Sequence, residues 1–226
     1  MRSVQDTLLD YVIVTTSRTN YPTVVAVFCA ALLISNIGAV KLIALGPIIT
    51  DGGAILFPLT YILGDVLSEI YGFKKARRAI YTAMSLQIVA AMVFQLVVML
   101  PPGPGWDMQE AYASVLGFVP RIVLASVVAF VVGETLNSYV LVRIKERTKE
   151  KRLWARLIGS TAVGQFADTL VFCTIAFYGV ITGAEFVNYV ITGYLYKTLV
   201  EVFLLPVTYR VIAALKRRES DYIPAV

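Results

Sequence analysis

Residues 57–72, FPLTYILGDVLSEIYG, restrict the fold more than any other part of the chain. The stretch is mostly apolar, yet it carries Asp65 and Glu69 four residues apart. On a helix that spacing stacks both carboxylates on one face. The next residues, FKKARRAI, hold four positive charges. A soluble protein has no ready place for an apolar helix with inward acids and a basic exit. A membrane protein does: lipid covers the apolar surface and the acids face a polar interior. The whole chain agrees, being 58% hydrophobic and 15% charged, where a soluble domain carries about 25% charge. Its mean hydropathy is +0.75. The expected fold class is therefore all-α, a polytopic membrane protein.

Six apolar segments are expected to span: 21–45, 54–72, 77–100, 121–142, 154–178 and 186–215. The second, the shortest, gives about 28 Å of helix, just enough to cross. The third ends at PPGPGW, which stops a helix. Residues 106–118 suit a short interfacial helix, with Trp106 and Tyr112 at headgroup depth. Seventeen of the twenty Lys and Arg fall on one side of this arrangement, Arg121 falls on the other, and Lys41 and Lys197 lie inside spans. The positive-inside rule then places both termini in the cytoplasm. The domain reading is a cytoplasmic segment 1–20, a six-helix transporter domain 21–215 and a cytoplasmic tail 216–226. The N-terminal segment lacks a clean signal-peptide pattern and is expected to be retained. Asn36 precedes Asp65 by 29 residues and Asn137 precedes Asp168 by 31. This faint repeat is compatible with two inverted three-helix halves and with chance.

Several classes of function are disfavoured. The basic residues cluster in short linkers with no aromatic interleaving, which argues against nucleic acid as a partner. There is no histidine, so imidazole ligands are absent and no metal or cofactor is expected. Cys29 and Cys173 sit in apolar segments as small core residues. No nucleophile elbow, HExxH, Walker A or Rossmann pattern is present, which disfavours an enzyme acting on a lipid.

The chemistry is expected at ionisable residues inside the spans: Lys41, Asp65, Glu69, Glu134, Asp168, Lys197 and Glu201. Each costs at least about 2.5–3.5 kcal/mol if turned to lipid at mid-bilayer. They are expected to face one another or a wet cavity. Lys41 can snorkel outward, Glu69 can pair with Arg77 or Arg78, or serve as a gate, and Glu201 can pair with Lys197 four residues before it. Asp65, Glu134 and Asp168 have no such local partner. Gln165 shares a face with Asp168, Asn137 shares one with Glu134, and Asn36 sits within the first span. Tyr61, Tyr71, Phe172 and Tyr194 are nearby aromatics. Carboxylates, amides and rings around one cavity suit a flat, polar, hydrogen-bonding ligand; a cation or proton can also use the carboxylates.

These residues carry a resemblance. FPLTYILGDVLSEIYGFKKARRAI resembles the hallmark segment of the queuosine precursor transporters. RIVLASVVAFVVGETLNSYVLVRIK, GSTAVGQFADTLVFCTIAFYG and YLYKTLVEVFLLPVTYRV are similar to the family's fourth, fifth and sixth helices. The resemblance implies a bacterial inner-membrane importer of 7-deazaguanine bases for tRNA queuosine modification. Its substrates would be 7-cyano-7-deazaguanine, 7-aminomethyl-7-deazaguanine and, in some members, queuine. It implies a substrate site of Asp168, Gln165, Lys197, Asp65, Glu134, Asn36 and Asn137. Asp168 would accept from the guanine-like N–H edge with Gln165 beside it, and Lys197 would donate to a carbonyl or balance the acids. Asp65 or Glu134 would meet an aminomethyl cation. Gln165 departs from the Asn of the family pattern, and its longer side chain alters the contact geometry. The alternative is a substrate-binding subunit of an energy-coupling-factor system, for which Ala26 and Ala30 offer a small-residue packing face. A homodimer is compatible with the sequence but does not follow from it.

Overall fold

The computed structural model describes residues 19–148 and 153–217. The expected N-terminal segment, apart from Thr19 and Asn20, and most of the tail lie outside the described residues. The elements run α1 (Tyr21–Gly38), β1 (Leu42–Leu45), β2 (Ile48–Asp51), a 3-10 turn (Gly52–Leu56), α2 (Phe57–Met99), α3 (Gln109–Leu116), α4 (Val119–Thr148), α5 (Leu153–Phe177) and α6 (Gly183–Lys216). Among the described residues, five helical stretches are long and apolar enough to cross a membrane. The described residues are helical apart from one small hairpin and short connections. Large apolar side chains such as Val89, Met92 and Val93 on α2 and Leu199, Val202 and Phe203 on α6 point outward. Only an apolar surrounding suits so much of that surface.

Local chemistry explains the element ends. Proline lies in the first turn of α1 and of α2, where its missing N–H costs nothing. Leu100 turns extended before Pro101 and ends α2. α3 forms within the expected interfacial segment. Arg121 donates to the carbonyls of Ile175 and Tyr178, at 2.7 and 2.6 Å. It thereby ties α4 to the C-terminal end of α5, where orphan carbonyls and the helix dipole favour a cation.

Two features differ from the sequence expectation. First, the helix expected over 21–45 stops at Gly38, and the chain then makes a β-hairpin with Leu42 paired to Asp51 and Leu45 to Ile48. Backbone outside helices is tolerated at membrane depth only where protein satisfies it, and α6 does so here. Asn188 accepts from Ile49 N at 3.1 Å and donates to Pro47 O at 2.9 Å. Tyr196 donates to Ala54 O at 3.0 Å, and Ser35 of α1 donates to Gly53 O at 3.0 Å. The buried Asp51 accepts from Tyr189 at 2.5 Å and from Gly53 N at 2.8 Å. Burial pushes the Asp51 carboxyl above its ordinary value, and these bonds oppose that.

Second, α2 is not one rod. Gly72 leaves helical geometry with φ 75° and ψ 167°. A straight helix from Phe57 to Gln87 would be about 45 Å long, yet both residues line one cavity. At the start of α1, Tyr21 packs its ring on Tyr71, centroids 5.1 Å apart, and donates to Lys75 O at 2.9 Å. Near the end of α1, Asn36 meets Gln87. The chain therefore folds back at Gly72, and both arms of α2 run along α1. The small Ala76, Ala79 and Ala83 pack with Val66, Leu67 and Ile70 in one core cluster. A second cluster of α4, α5 and α6 residues packs under the hairpin, with Ile122, Phe177 and Tyr189 at its centre.

The Gly72 dihedrals belong to a region open essentially to glycine alone. A Cβ placed there would meet nothing within 4 Å, so the constraint is conformational and not one of space. Gly72→Ala is expected to cost roughly 1–3 kcal/mol. A melting curve of the purified protein in detergent measures this; an unchanged midpoint would mean the reversal does not need those dihedrals.

Candidate functional site

The site begins with two glycines. A Cβ on Gly133 of α4 would come within 2.9 Å of the Asp168 Cβ, and one on Gly164 of α5 within 2.7 Å of the Asn137 Cβ. Each glycine also faces the other's carbonyl oxygen at 3.0 Å from its would-be Cβ. Gly133 precedes Asn137 by four residues and Gly164 precedes Asp168 by four, so the two helices cross in a reciprocal pattern. The crossing brings Glu134, Asn137, Gln165 and Asp168 to one wall of a cavity of about 510 Å³.

Lys197 of α6 faces this wall. It is 8% exposed, and its Nζ lies 2.7 Å from Asp168 Oδ2. The ring centroids of Phe57 and Phe172 lie 5.2 and 5.9 Å from the same ammonium. One carboxylate and two π faces thus replace the water the cation has lost. One turn further along α6, Glu201 accepts from Gln165 Nε2, while Gln165 Oε1 accepts from Thr198 at 3.2 Å. The Asn137 Oδ1 is buried and has no partner. An unpaired buried acceptor is costly, and this one belongs to a residue that lines the cavity.

The far end of the cavity is closed and uncharged. Asn36 of α1 donates to Gln87 Oε1, and Ser126 of α4 donates to Asn36 Oδ1 at 3.1 Å. Asn36 and Gln87 are both buried, whereas Asp65, Ser68 and Glu134 are exposed. The cavity is shut toward the hairpin and open toward the end that carries Gly72 and the basic residues after it. Its rings are Phe28, Phe57, Tyr61, Phe130 and Phe172. A separate apolar groove of about 830 Å³ between α1 and the second arm of α2, lined by Ala26 and Ala30 among others, offers no such chemistry.

Of the residues singled out from the sequence, Asn36, Asp65, Glu134, Asn137, Gln165, Asp168, Lys197 and Glu201 all line this one cavity. Glu69 does not; it pairs with Lys216 at 2.7 Å on the exposed side, and not with Arg77 or Arg78. Lys197 pairs with Asp168 across two helices, and not with Glu201 on its own. Tyr71 packs against Tyr21 and Tyr194 against Phe166, so neither joins the site. Gln87 and Ser126 join it without having been anticipated. A polar side chain in the middle of an apolar span is the signal that marks Gln87, and it applies to amides as it does to charges. Among the described residues no metal-ligand cluster of His, Cys, Asp and Glu is present.

Comparison with known proteins bears on the family. A family model described as "Putative vitamin uptake transporter" matches residues 51–211. The chain is 33% identical over 180 residues to a "Probable queuosine precursor transporter" of Bacillus subtilis, covering 79% of each chain. It is 30% identical over 176 residues to the "Queuosine precursor transporter" of Escherichia coli, covering 76% of this chain and 77% of that one. No solved structure matches the chain. The matched family region contains every acid of the cavity and its lysine. With the apolar helices and the polar cavity between them, these matches place the chain in the queuosine precursor transporter family, a multi-pass membrane transporter and not an enzyme.

Proposed function

We propose that this protein imports 7-deazaguanine bases, such as 7-cyano-7-deazaguanine and 7-aminomethyl-7-deazaguanine, with queuine a further substrate, for tRNA queuosine modification. The observation that carries the reading is the Asp168–Lys197 pair at the wall of an aromatic-lined cavity. The ammonium holds the carboxylate in place. A carboxylate has about four acceptor sites, so Asp168 keeps capacity for the two adjacent N–H donors of a guanine-like edge. Asn137 beside it adds an amide to the cavity wall, and the rings stack on the base. In this reading Lys197 balances the acid and does not itself donate to the substrate.

Six spans are part of the proposal. The two arms of α2, 57–71 and 73–99, each cross once, which adds one crossing to the five helical stretches. The basic residues then fall in the cytoplasm together with both termini, including segments 1–20 and 216–226, in a bacterial inner membrane. The cavity as described opens inward. Asn36 with Asp65 and Asn137 with Asp168 would be the matching pairs of two inverted halves, and all four line the cavity.

Two tests follow. Purified protein reconstituted alone in liposomes is expected to take up 7-deazaguanines in preference to guanine; uptake that needs an added ATPase module would favour the energy-coupling-factor alternative. Asp168→Asn is expected to abolish this uptake with membrane abundance retained, and wild-type transport by that variant would remove Asp168 from the site. The ion pair is tested separately by stability. Lys197→Ala leaves a carboxylate unpaired and is expected to cost about 3 kcal/mol, near the low end for a buried pair because Asp168 is partly wet. The Lys197→Ala/Asp168→Asn double variant is expected to recover much of that loss while transporting nothing. Additive losses in thermal melts would mean the two residues do not act as a pair.

A further inference from the structure

Building on the reading above, we infer that Gln87 is a specificity-determining residue, presenting a free amide donor that selects an uncharged hydrogen-bond acceptor at the closed end of the cavity. Gln87 is 4% exposed and lines the cavity. Its Oε1 is occupied by Asn36, and the Asn36 Oδ1 is occupied in turn by Ser126. This chain of bonds ends at the Gln87 NH2, which donates to no group among the described residues. The nitrogen is on the cavity side of the residue, where a ligand can accept from it. Packing between helices accounts for the Asn36–Gln87 and Ser126–Asn36 bonds. It does not account for a donor left over on the cavity wall.

The position of this donor says which part of a ligand it reads. Ser126 precedes Gly133 by seven residues on α4, about 10 Å of helix rise. Gly133 is where Asp168 packs. The cavity therefore has two polar poles about two helical turns apart: acids around Asp168, and the amides Asn36 and Gln87 with Ser126. Phe130 stands between Ser126 and Gly133 on α4, and Phe57 and Phe172 line the same cavity. A flat bicycle lying between the rings, its N–H edge on Asp168, sends its opposite substituent to the amide pole. No acid lines the cavity at that pole, since Asp51 behind Ser35 is held by Tyr189 and Gly53, and the Gln87 amide faces the pole with N–H. A nitrile or carbonyl satisfies that donor; an ammonium does not.

The test begins with wild-type protein in detergent and three ligands that share the N–H edge: 7-cyano-, 7-methyl- and 7-aminomethyl-7-deazaguanine. The nitrile compound is expected to bind about tenfold more tightly than either of the others, since a site built around a hydrogen bond rejects a ligand that lacks it. Gln87→Glu keeps an acceptor for Asn36 and replaces the donor by an anion, and it is expected to turn the preference toward the aminomethyl compound. Equal binding of the nitrile and methyl compounds to wild type would overturn the inference. So would an unchanged ligand ranking in Gln87→Glu, and with Asp168→Asn abolishing binding in that case the deazaguanine reading would stand alone. If none of the three binds wild type, both readings fall. Should Gln87→Glu not accumulate, the wild-type ligand series decides.

Discussion

Lys197 is a cation almost without water, and the arrangement of three helical elements follows from keeping it satisfied. Its ammonium bonds to Asp168 of α5 and faces the rings of Phe57 on α2 and Phe172 on α5. Left alone in such surroundings it would cost several kcal/mol. Asp168 can reach it because Gly133 and Gly164 let α4 and α5 cross with almost no side chain between their backbones. The glycines thus set the distance and the charge pair uses it. Together they bring Asp168, Glu134, Asn137 and Gln165 to one wall.

The same rule, that polar groups away from water must find partners, organises the hairpin. Tyr189, Tyr196 and Lys197 stand at i, i+7 and i+8 on α6, which is one stripe of a helix. Along that stripe Tyr189 holds Asp51, Tyr196 holds the Ala54 carbonyl, and Lys197 holds Asp168. Asn188 beside it takes the backbone of Ile49 and Pro47. One helix face therefore fastens the closed end of the cavity and also carries the lysine that lines it. A displacement of α6 along its axis would act on both together.

How much of this is legible in the sequence depends on the range of each interaction. Charges in an apolar background stand out, so Asp65, Glu134, Asp168 and Lys197 declare themselves by cost alone. Faces of single helices are also readable, which is why Gln165 goes with Asp168 and Asn137 with Glu134. Partners across helices are not. The sequence offers Glu201 to Lys197 and Arg77 or Arg78 to Glu69, all close in the chain. The fold instead brings Asp168 from 29 residues away and Lys216 from 147. The hairpin is hidden for a related reason: LIAL and IIT have the hydropathy of a helix, and what holds them extended is α6, far along the chain. Gln87 is hidden because one neutral amide scarcely changes the mean hydropathy of its span.

The charge of the cavity has a consequence for any transporter built this way. Asp65, Glu134, Asp168 and Glu201 face it with one lysine among them. Asp65 and Glu134 lie on its open side, within reach of water. Ionised carboxylates in a sealed, dry cavity would each cost several kcal/mol without a partner. A sealed state must therefore supply what water supplies in the open one, either donors from the bound ligand or protons on the acids. A base rich in N–H groups provides donors, and an empty cavity does not. The acids then oppose closure around nothing more strongly than closure around substrate, unless protons neutralise them for the empty return.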